Sequence, residues 1–509
     1  MCLPTGSVLV KAKQSLYLAT CFGVLMLMVY LRYHAFVPVD NLPLVLLPCV
    51  MVAAFPWQPA QAELADKPVQ PVVVGYAPTR TAPECSPLAT PLLAIKPRYD
   101  YLDNVKAFLA FIVVTHHVAC SFGDTGGVPV WAHTGVWPAI VLGDQDVWSS
   151  RVATGLITAD QGYFISLLCF ISGHFTPASH ARKGTREFIK GKLIRYGIPY
   201  LVYFWCLNPL CWLWLFLMFE PDPAAWAYVP GPGPPWFLQM LLLFNAWYVI
   251  CPSPPLRLKL PCLAVLCLAG ATIGLLQGWI LAFGFNMFYI PTSIGSFPFY
   301  IIFFYAGCVA ARDDWLADLL RWPSWQVVAL YCVAVSLLLF NLVAVPFMSP
   351  FPPSPDCLPP SPPSPGDTAL LPPQRGVDYS TLPTTLLVFG AVEGVYTVAF
   401  SLATLHFFGT FLNSRNRAWD FLANAAYAVY ILHFVLLAPC VYAYLAILRA
   451  SGTSVNITYC FARDAFYSTT PLKGWQLSTG FLFTTLLINL PLWPTAYYLR
   501  KLPGFSRVL

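Results

Sequence analysis

Three of the few polar residues between Arg98 and Gly123, an otherwise apolar stretch, fall on one line: Asp103, Lys106 and His117. A helix turns by about 100° per residue, so the step from Lys106 to His117 returns to within about 20° of its start. Asp103 lies one turn before Lys106, on the same side. His116 falls about 80° away from that line. A neutral imidazole oriented by a carboxylate can take a proton from a hydroxyl, so the stripe points to general-base chemistry at His117. The same residue types also serve as a snorkelling pair at a membrane surface and a hydrogen-bonded buried histidine.

A second polar group begins at Phe170-Ile171-Ser172-Gly173-His174-Phe175 and continues as HARKGTREFIKGKLIRYGIP over residues 180–199. Lys192 and Arg195 stand on one helical face. Ammonium and guanidinium groups pair with phosphate oxygens in charge-assisted hydrogen bonds, which suits a phosphate clamp. Basic loops of this kind also arise as topology signals alone. Ser172-Gly173 leaves room for a backbone or a ligand to pass closely.

The elements that must carry these groups are membrane helices. Of 509 residues 58% are hydrophobic and 10% charged, and the mean hydropathy is +0.65. Apolar runs of about 20 residues without strand-like alternation select helices over a barrel. The fold class is therefore all-α, a polytopic transmembrane bundle of about ten core helices plus one or two N-terminal hydrophobic segments. The spans read as 103–122, 154–175, 194–219, 235–251, 260–283, 290–311, 325–346, 384–408, 421–447 and 476–498. Residues 1–62 carry two apolar runs and a cleavage-like Ala60-Gln61-Ala62, fitting a targeting segment or a two-helix extension. Residues 63–97 form a Pro-rich linker, and 98–500 form the membrane domain. The net charge of +6 is dispersed, with no basic cluster interleaved with aromatics, so nucleic acid is not a partner. The 16 cysteines sit mostly alone in apolar runs without zinc-ligand spacing. They read as small packing residues, and no metal site is expected.

Loop by loop, 18 Lys and Arg residues fall on the side of residue 98 and five on the other. That asymmetry places both ends of the core in the cytoplasm. The opposite side holds the Pro-rich loop 346–383 and the sequon Asn456-Ile457-Thr458. With a rise of 1.5 Å per residue, His117, Asp160 and Glu393 lie about 21–22 Å, and His433 about 18 Å, above the cytoplasmic ends of their helices. Four ionisable groups from four helices thus share one layer, and Glu393 and His433 join His117 and Asp103 as candidate catalytic residues. Arg98, Lys106, Ser172, Lys192 and Arg195 are the candidate substrate-binding residues.

These residues resemble the acyltransferase 3 family of integral membrane acyltransferases, in the branch that includes glucan biosynthesis protein C. Arg98, Leu102, Asp103, Lys106 and His117 match one family element, and Phe170, Ser172 and Gly173 a second. Arg182, Lys183, Gly184, Phe188, Lys192, Arg195 and Pro199 match a third. GPGPPWFLQMLLLFNAWY at 231–248, FFYAGCVAAR at 303–312 and YAVYILH at 427–433 match later ones. Lys106 departs from the usual arginine, and His174 from the usual aromatic or aliphatic residue. The resemblance implies O-acyl transfer from acyl-CoA, as cosubstrate with no other cofactor, to a hydroxyl on a carbohydrate or lipid-linked acceptor, such as O-acetylation in glucan modification. It implies His117 as the catalytic histidine and Lys192 with Arg195 as the basic motif beside it. The expected location is a lipid bilayer, as a multi-pass protein of the endomembrane system, plasma membrane or an organelle. A transporter or a non-catalytic sensor is the alternative, though the halves show no internal repeat.

Overall fold

The computed structural model describes residues 99–123, 140–143, 147–219, 231–252, 257–281, 286–287, 290–293, 297–344, 382–460 and 465–508. The expected N-terminal segments 1–62, the linker 63–97, Arg98 and nearly all of the loop 346–383 lie outside these residues. In chain order the first helices are α1 (Asp100–Phe122), α2 (Trp148–Lys192), α3 (Ile198–Val202), α4 (Asn208–Phe219), α5 (Trp236–Ile250) and α6 (Leu263–Leu281). They are followed by α7 (Phe297–Asp313), α8 (Trp315–Leu320), α9 (Ser324–Leu339), α10 (Leu382–Phe411), α11 (Arg417–Ala450), α12 (Gly474–Leu499) and α13 (Phe505–Val508). The strands are short: β1 (Ile140–Val141), β2 (Asn286–Met287), β3 (Ile290–Ser293), β4 (Ile457–Cys460) and β5 (Ala465–Ser468).

Helix α1 is the axis of the bundle. Its Tyr101, Leu102, Val105, Leu109 and Val113 pack into a core with α2, α5, α7 and α10. Its Ala107, Ala110, Val114, Val118 and Phe122 pack into a second core with α4, α11 and α12. A helix that is apolar all round is what this central position requires. Of its apolar window 67% is buried, more than in the other long apolar helices.

All ten spans read from the sequence coincide with helix over most of their length. Among the described residues, six helical stretches are long and apolar enough to cross a membrane, and α5 and Leu263–Gly278 are shorter apolar helices. The protein is an all-α, integral multi-pass membrane protein. One expected span starts late: residues 290–293 form β3, paired antiparallel with β2. Pro291 has no N–H to give a helix, and α7 instead begins at Phe297 with Pro298 in its first turn, where a missing N–H is harmless. The part of α2 before the break at Gly184, residues 148–183, is about 54 Å long, well beyond the thickness of a hydrocarbon core. It carries the basic segment well past the apolar part that ends near residue 175.

Two faces emerge. On one, the Asn104 amide donates to the carbonyls of Leu412 and Ser414, joining the start of α1 to the α10–α11 turn. The Arg500 guanidinium donates to Asn424 on the same face. On the other, β1 pairs in parallel with β5, and β4 pairs antiparallel with β5. This small sheet gathers the end of α1, the end of α11 and the start of α12, and the Ser149 hydroxyl donates to the Gly474 carbonyl beside it. Asn456 of the sequon is exposed there.

At two crossings, glycines on both helices bring the backbones into contact. Gly270 and Gly274 of α6 meet Gly394 and Gly390 of α10, a small-residue repeat on both helices. Gly173 of α2 and Gly307 of α7 do the same, each against a carbonyl of the other helix, those of Phe304 and Phe170. The glycine after Ser172 therefore admits a neighbouring backbone. A Cβ at Gly274 would lie 1.9 Å from the Gly390 carbonyl oxygen. Gly274→Leu is expected to destabilise the protein by about 1–3 kcal/mol or more. The check is the thermal unfolding midpoint of the full chain in detergent. Gly191→Ala, whose Cβ meets only the Lys183 ammonium at 3.5 Å, leaves the midpoint in place.

Candidate active site

The polar stripe of α1 faces a cavity. Tyr99, Asp103, Lys106, Ala110 and Val113, spaced by four, three, four and three residues, form its α1 wall. The opening has a volume of about 630 Å³. The end of α2, the helical turn Leu193–Gly197, α5 and α11 supply the other walls. Its outer part is cationic, with Lys106, Arg182, Lys183, Lys192 and Arg195. Its inner part is apolar, with Leu168, Phe237, Leu238 and Leu241.

Three of these cations, Lys106, Lys192 and Arg195, are held by their surroundings. Lys106 pairs with Asp103 at 2.6 Å and lies 4.9 Å above the Phe175 ring. Lys192 sits 5.2 Å from the Phe188 ring centre and 5.1 Å from that of Tyr196. The Arg195 guanidinium lies 5.5 Å over the Tyr427 ring, while the Tyr427 hydroxyl donates to the Arg195 carbonyl. Cation–π contacts and apolar stems leave the charged ends facing the cavity, where they strengthen pairing with an anion. Ser172 lines the same wall. The two arms of the basic segment meet because Gly184 breaks α2 with φ 70° and ψ 165°, a region essentially closed to other residues. That break turns Arg182 and Lys183 on one arm toward the cavity that Lys192 and Arg195 face from the other. The glycine inside the basic run was visible in the sequence, but its use as a corner was not.

The cavity stops about one helical turn short of the histidines. On α1 the wall ends at Val113, four residues before His117; on α11 it ends at Tyr430, three before His433. The His117 and His433 rings lie 5.0 Å apart and inclined by 33°. His116 is buried off the stripe, its ring 5.3 Å from Phe164. His433 is fully buried, and its Nδ1 lies 2.7 Å from the Tyr430 carbonyl. A carbonyl only accepts, so Nδ1 carries the proton and Nε2 the lone pair. Between cavity and histidines stands Tyr430, whose hydroxyl donates to the Pro234 carbonyl.

The layer of four groups thus resolves into two pairs of elements. His117 of α1 and His433 of α11 come together. Glu393 of α10 is 8% exposed and packs against α2, its Oε1 occupying the space a Cβ on Gly162 would need. Thr397 and Tyr396 donate to the Gly162 and Ala159 carbonyls beside it, and Asp160 lies on that same stretch of α2. Asp103 lies at the cavity mouth with Lys106.

The cationic pocket and the His117–His433 pair lie one helical turn apart within the same helical bundle. The acyltransferase 3 family model, an acyltransferase domain, matches residues 99–493. The chain belongs to this family and is a membrane acyltransferase. No curated protein and no solved structure matches it.

Gly184→Ala tests the corner. No heavy atom lies within 4 Å of its Cβ position, so only the backbone conformation opposes the change. A cost of about 1–3 kcal/mol is expected locally. Hydrogen exchange over residues 178–192 should speed up while that of α1 stays unchanged.

Proposed function

We propose that the protein transfers an acyl group from acyl-CoA to a hydroxyl of a carbohydrate or lipid-linked acceptor in the bilayer. The observation that carries this reading is the course of the cavity. Its mouth presents five cations, and two of its walls continue one turn further into the His117–His433 pair. Lys192 and Arg195, with Arg182 and Lys183, bind the CoA phosphates. Lys106, oriented by Asp103, binds at the same mouth, and Arg98 precedes it in the chain. The pantetheine arm runs along the apolar inner wall past Ser172 toward the histidines. Movement of Tyr430 completes the path.

His117 acts as the general base. It takes the acceptor hydroxyl proton as the oxygen attacks the thioester carbonyl, and the oxygen–carbon bond forms. The carbon–sulfur bond then breaks, and the leaving thiolate takes the proton back, giving the ester and free CoA. His433, with its lone pair at Nε2, provides a second site for that proton within reach of the first. Glu393 and Asp160 lie on the α2 side and are assigned no step.

The test uses membranes carrying wild type, His117→Ala or Arg195→Ala at matched levels, fed acyl-CoA labelled on the acyl group over a range of chain lengths. Label is expected in a glycan or lipid fraction with wild type. It should fall by about 100-fold or more in His117→Ala, the usual contribution of a general base. Arg195→Ala is expected to raise the acyl-CoA concentration needed by about tenfold, from one lost charge-assisted contact. Equal labelling in all three would overturn the assignment.

A further inference from the structure

The inner turn between α7 and α8 carries two adjacent carboxylates with different surroundings. Asp313 is consumed by the fold: Arg312 Nε and one terminal nitrogen donate to it at 2.8 and 2.6 Å, and the Leu258 N–H donates at 2.9 Å. Those contacts, led by the Arg312 hydrogen bonds, hold its carboxyl down at about 2. Asp314 is exposed and lines the cavity. It is also the one non-glycine among the described residues with positive φ, at 56°. Its carbonyl accepts from the Ala317 and Asp318 N–H groups, while its side chain does not cap the short helix that follows. No hydrogen bond or ion pair to that carboxylate exists among the described residues. A left-handed non-glycine residue carries a conformational cost that the surrounding structure must sustain. Here the cost places an acceptor on the cavity wall.

The neighbours of Asp314 on that wall are aromatic. Tyr99 and His174 both line the cavity, their rings 5.7 Å apart and nearly perpendicular. Burial first, and the nearby Asp314 charge second, push the Tyr99 phenol up. The cations belong to other elements: α1, the end of α2 and the turn after it. A lone carboxylate in a phosphate-binding mouth would repel phosphate, so this corner suits a part of the ligand that carries hydrogen-bond donors and a flat apolar face. Adenine has both, in its exocyclic amine and its ring.

Resting on the acyl-CoA reading above, we propose that Tyr99, His174 and Asp314 form the corner that receives the adenine ring, with the Asp314 carboxylate accepting from its exocyclic amine. The corner selects adenine over bases that present a carbonyl at that position, because a carbonyl facing a carboxylate leaves two acceptors opposed.

Binding to the purified full-length protein in nanodiscs tests this, with three probes: CoA, adenosine 3′,5′-bisphosphate, and the inosine analogue whose base has a carbonyl in place of the amine. Wild type is expected to bind the adenosine compound about tenfold or more tightly than the inosine one, the cost of a lost hydrogen bond to a charged acceptor. Asp314→Ala should bring the ratio close to one, by weakening the adenosine compound and removing the opposed acceptor that disfavours the inosine one. Asp314→Asn keeps a residue that tolerates positive φ and adds an amide donor. It should therefore gain affinity for the inosine compound, a change that mere loss of structure cannot produce. Tight CoA binding with the same base preference in wild type and both variants overturns the adenine corner and leaves the acyl-CoA reading standing. Absence of binding by all three probes to wild type overturns both.

Discussion

The rise of one helix sets the scale of this site. Asp103, Lys106 and His117 lie on a single rigid element, so the distance from the cationic mouth to the imidazole is a property of α1 and not of any loop. From Lys106 to His117 it is about 16 Å. Everything else is arranged against that ruler. The central position of α1, buried by two cores on opposite sides, keeps it from tilting or shifting independently of α2 or α11. The end of α2 and the turn after it then need only bring their basic residues to the height of Lys106, and α11 its histidine to that of His117.

The site is built from contrasts of environment. At the mouth, charges stay solvated at their tips while their stems rest on Phe175, Phe188, Tyr196 and Tyr427. At the histidines no such compensation is possible, since an ion there would be costly in a low-dielectric interior. A backbone carbonyl fixes the tautomer of His433 without any formal charge. Neutral imidazoles are the form such an interior favours, while the formal charges stay at the mouth.

Much of this was legible in the sequence for a plain reason: helical periodicity needs no tertiary information. The stripe Asp103–Lys106–His117 and the pair Lys192–Arg195 follow from spacing alone, and all ten apolar runs became helix. Depth from helix ends also brought His117 and His433 to one layer, because both helices cross the same slab. The same counting could not say that Glu393 faces Gly162 of α2, since rotation about the helix axis is decided by packing. Nor could it show Asp314. A left-handed aspartate between two short apolar stretches has no periodic signal, and its neighbour Asp313 looks the same in the sequence while doing a different job. The strand at 290–293 escaped because its four residues, flanked by apolar Tyr289 and Ile294, are too few to interrupt the apolar run that leads into α7.

The contact between α6 and α10 also bears on how this sequence can drift. Where two side chains meet, a larger residue on one helix can be offset by a smaller one on the other, and a lineage can pass through the exchange. At Gly270, Gly274, Gly390 and Gly394 the space a side chain would need is filled by the partner's main chain, which no substitution removes. These positions have no compensating route. Among relatives that keep this crossing, they are expected to stay as glycine or to change only together with a movement of the helices apart, while an exposed neighbour such as Thr272 varies freely.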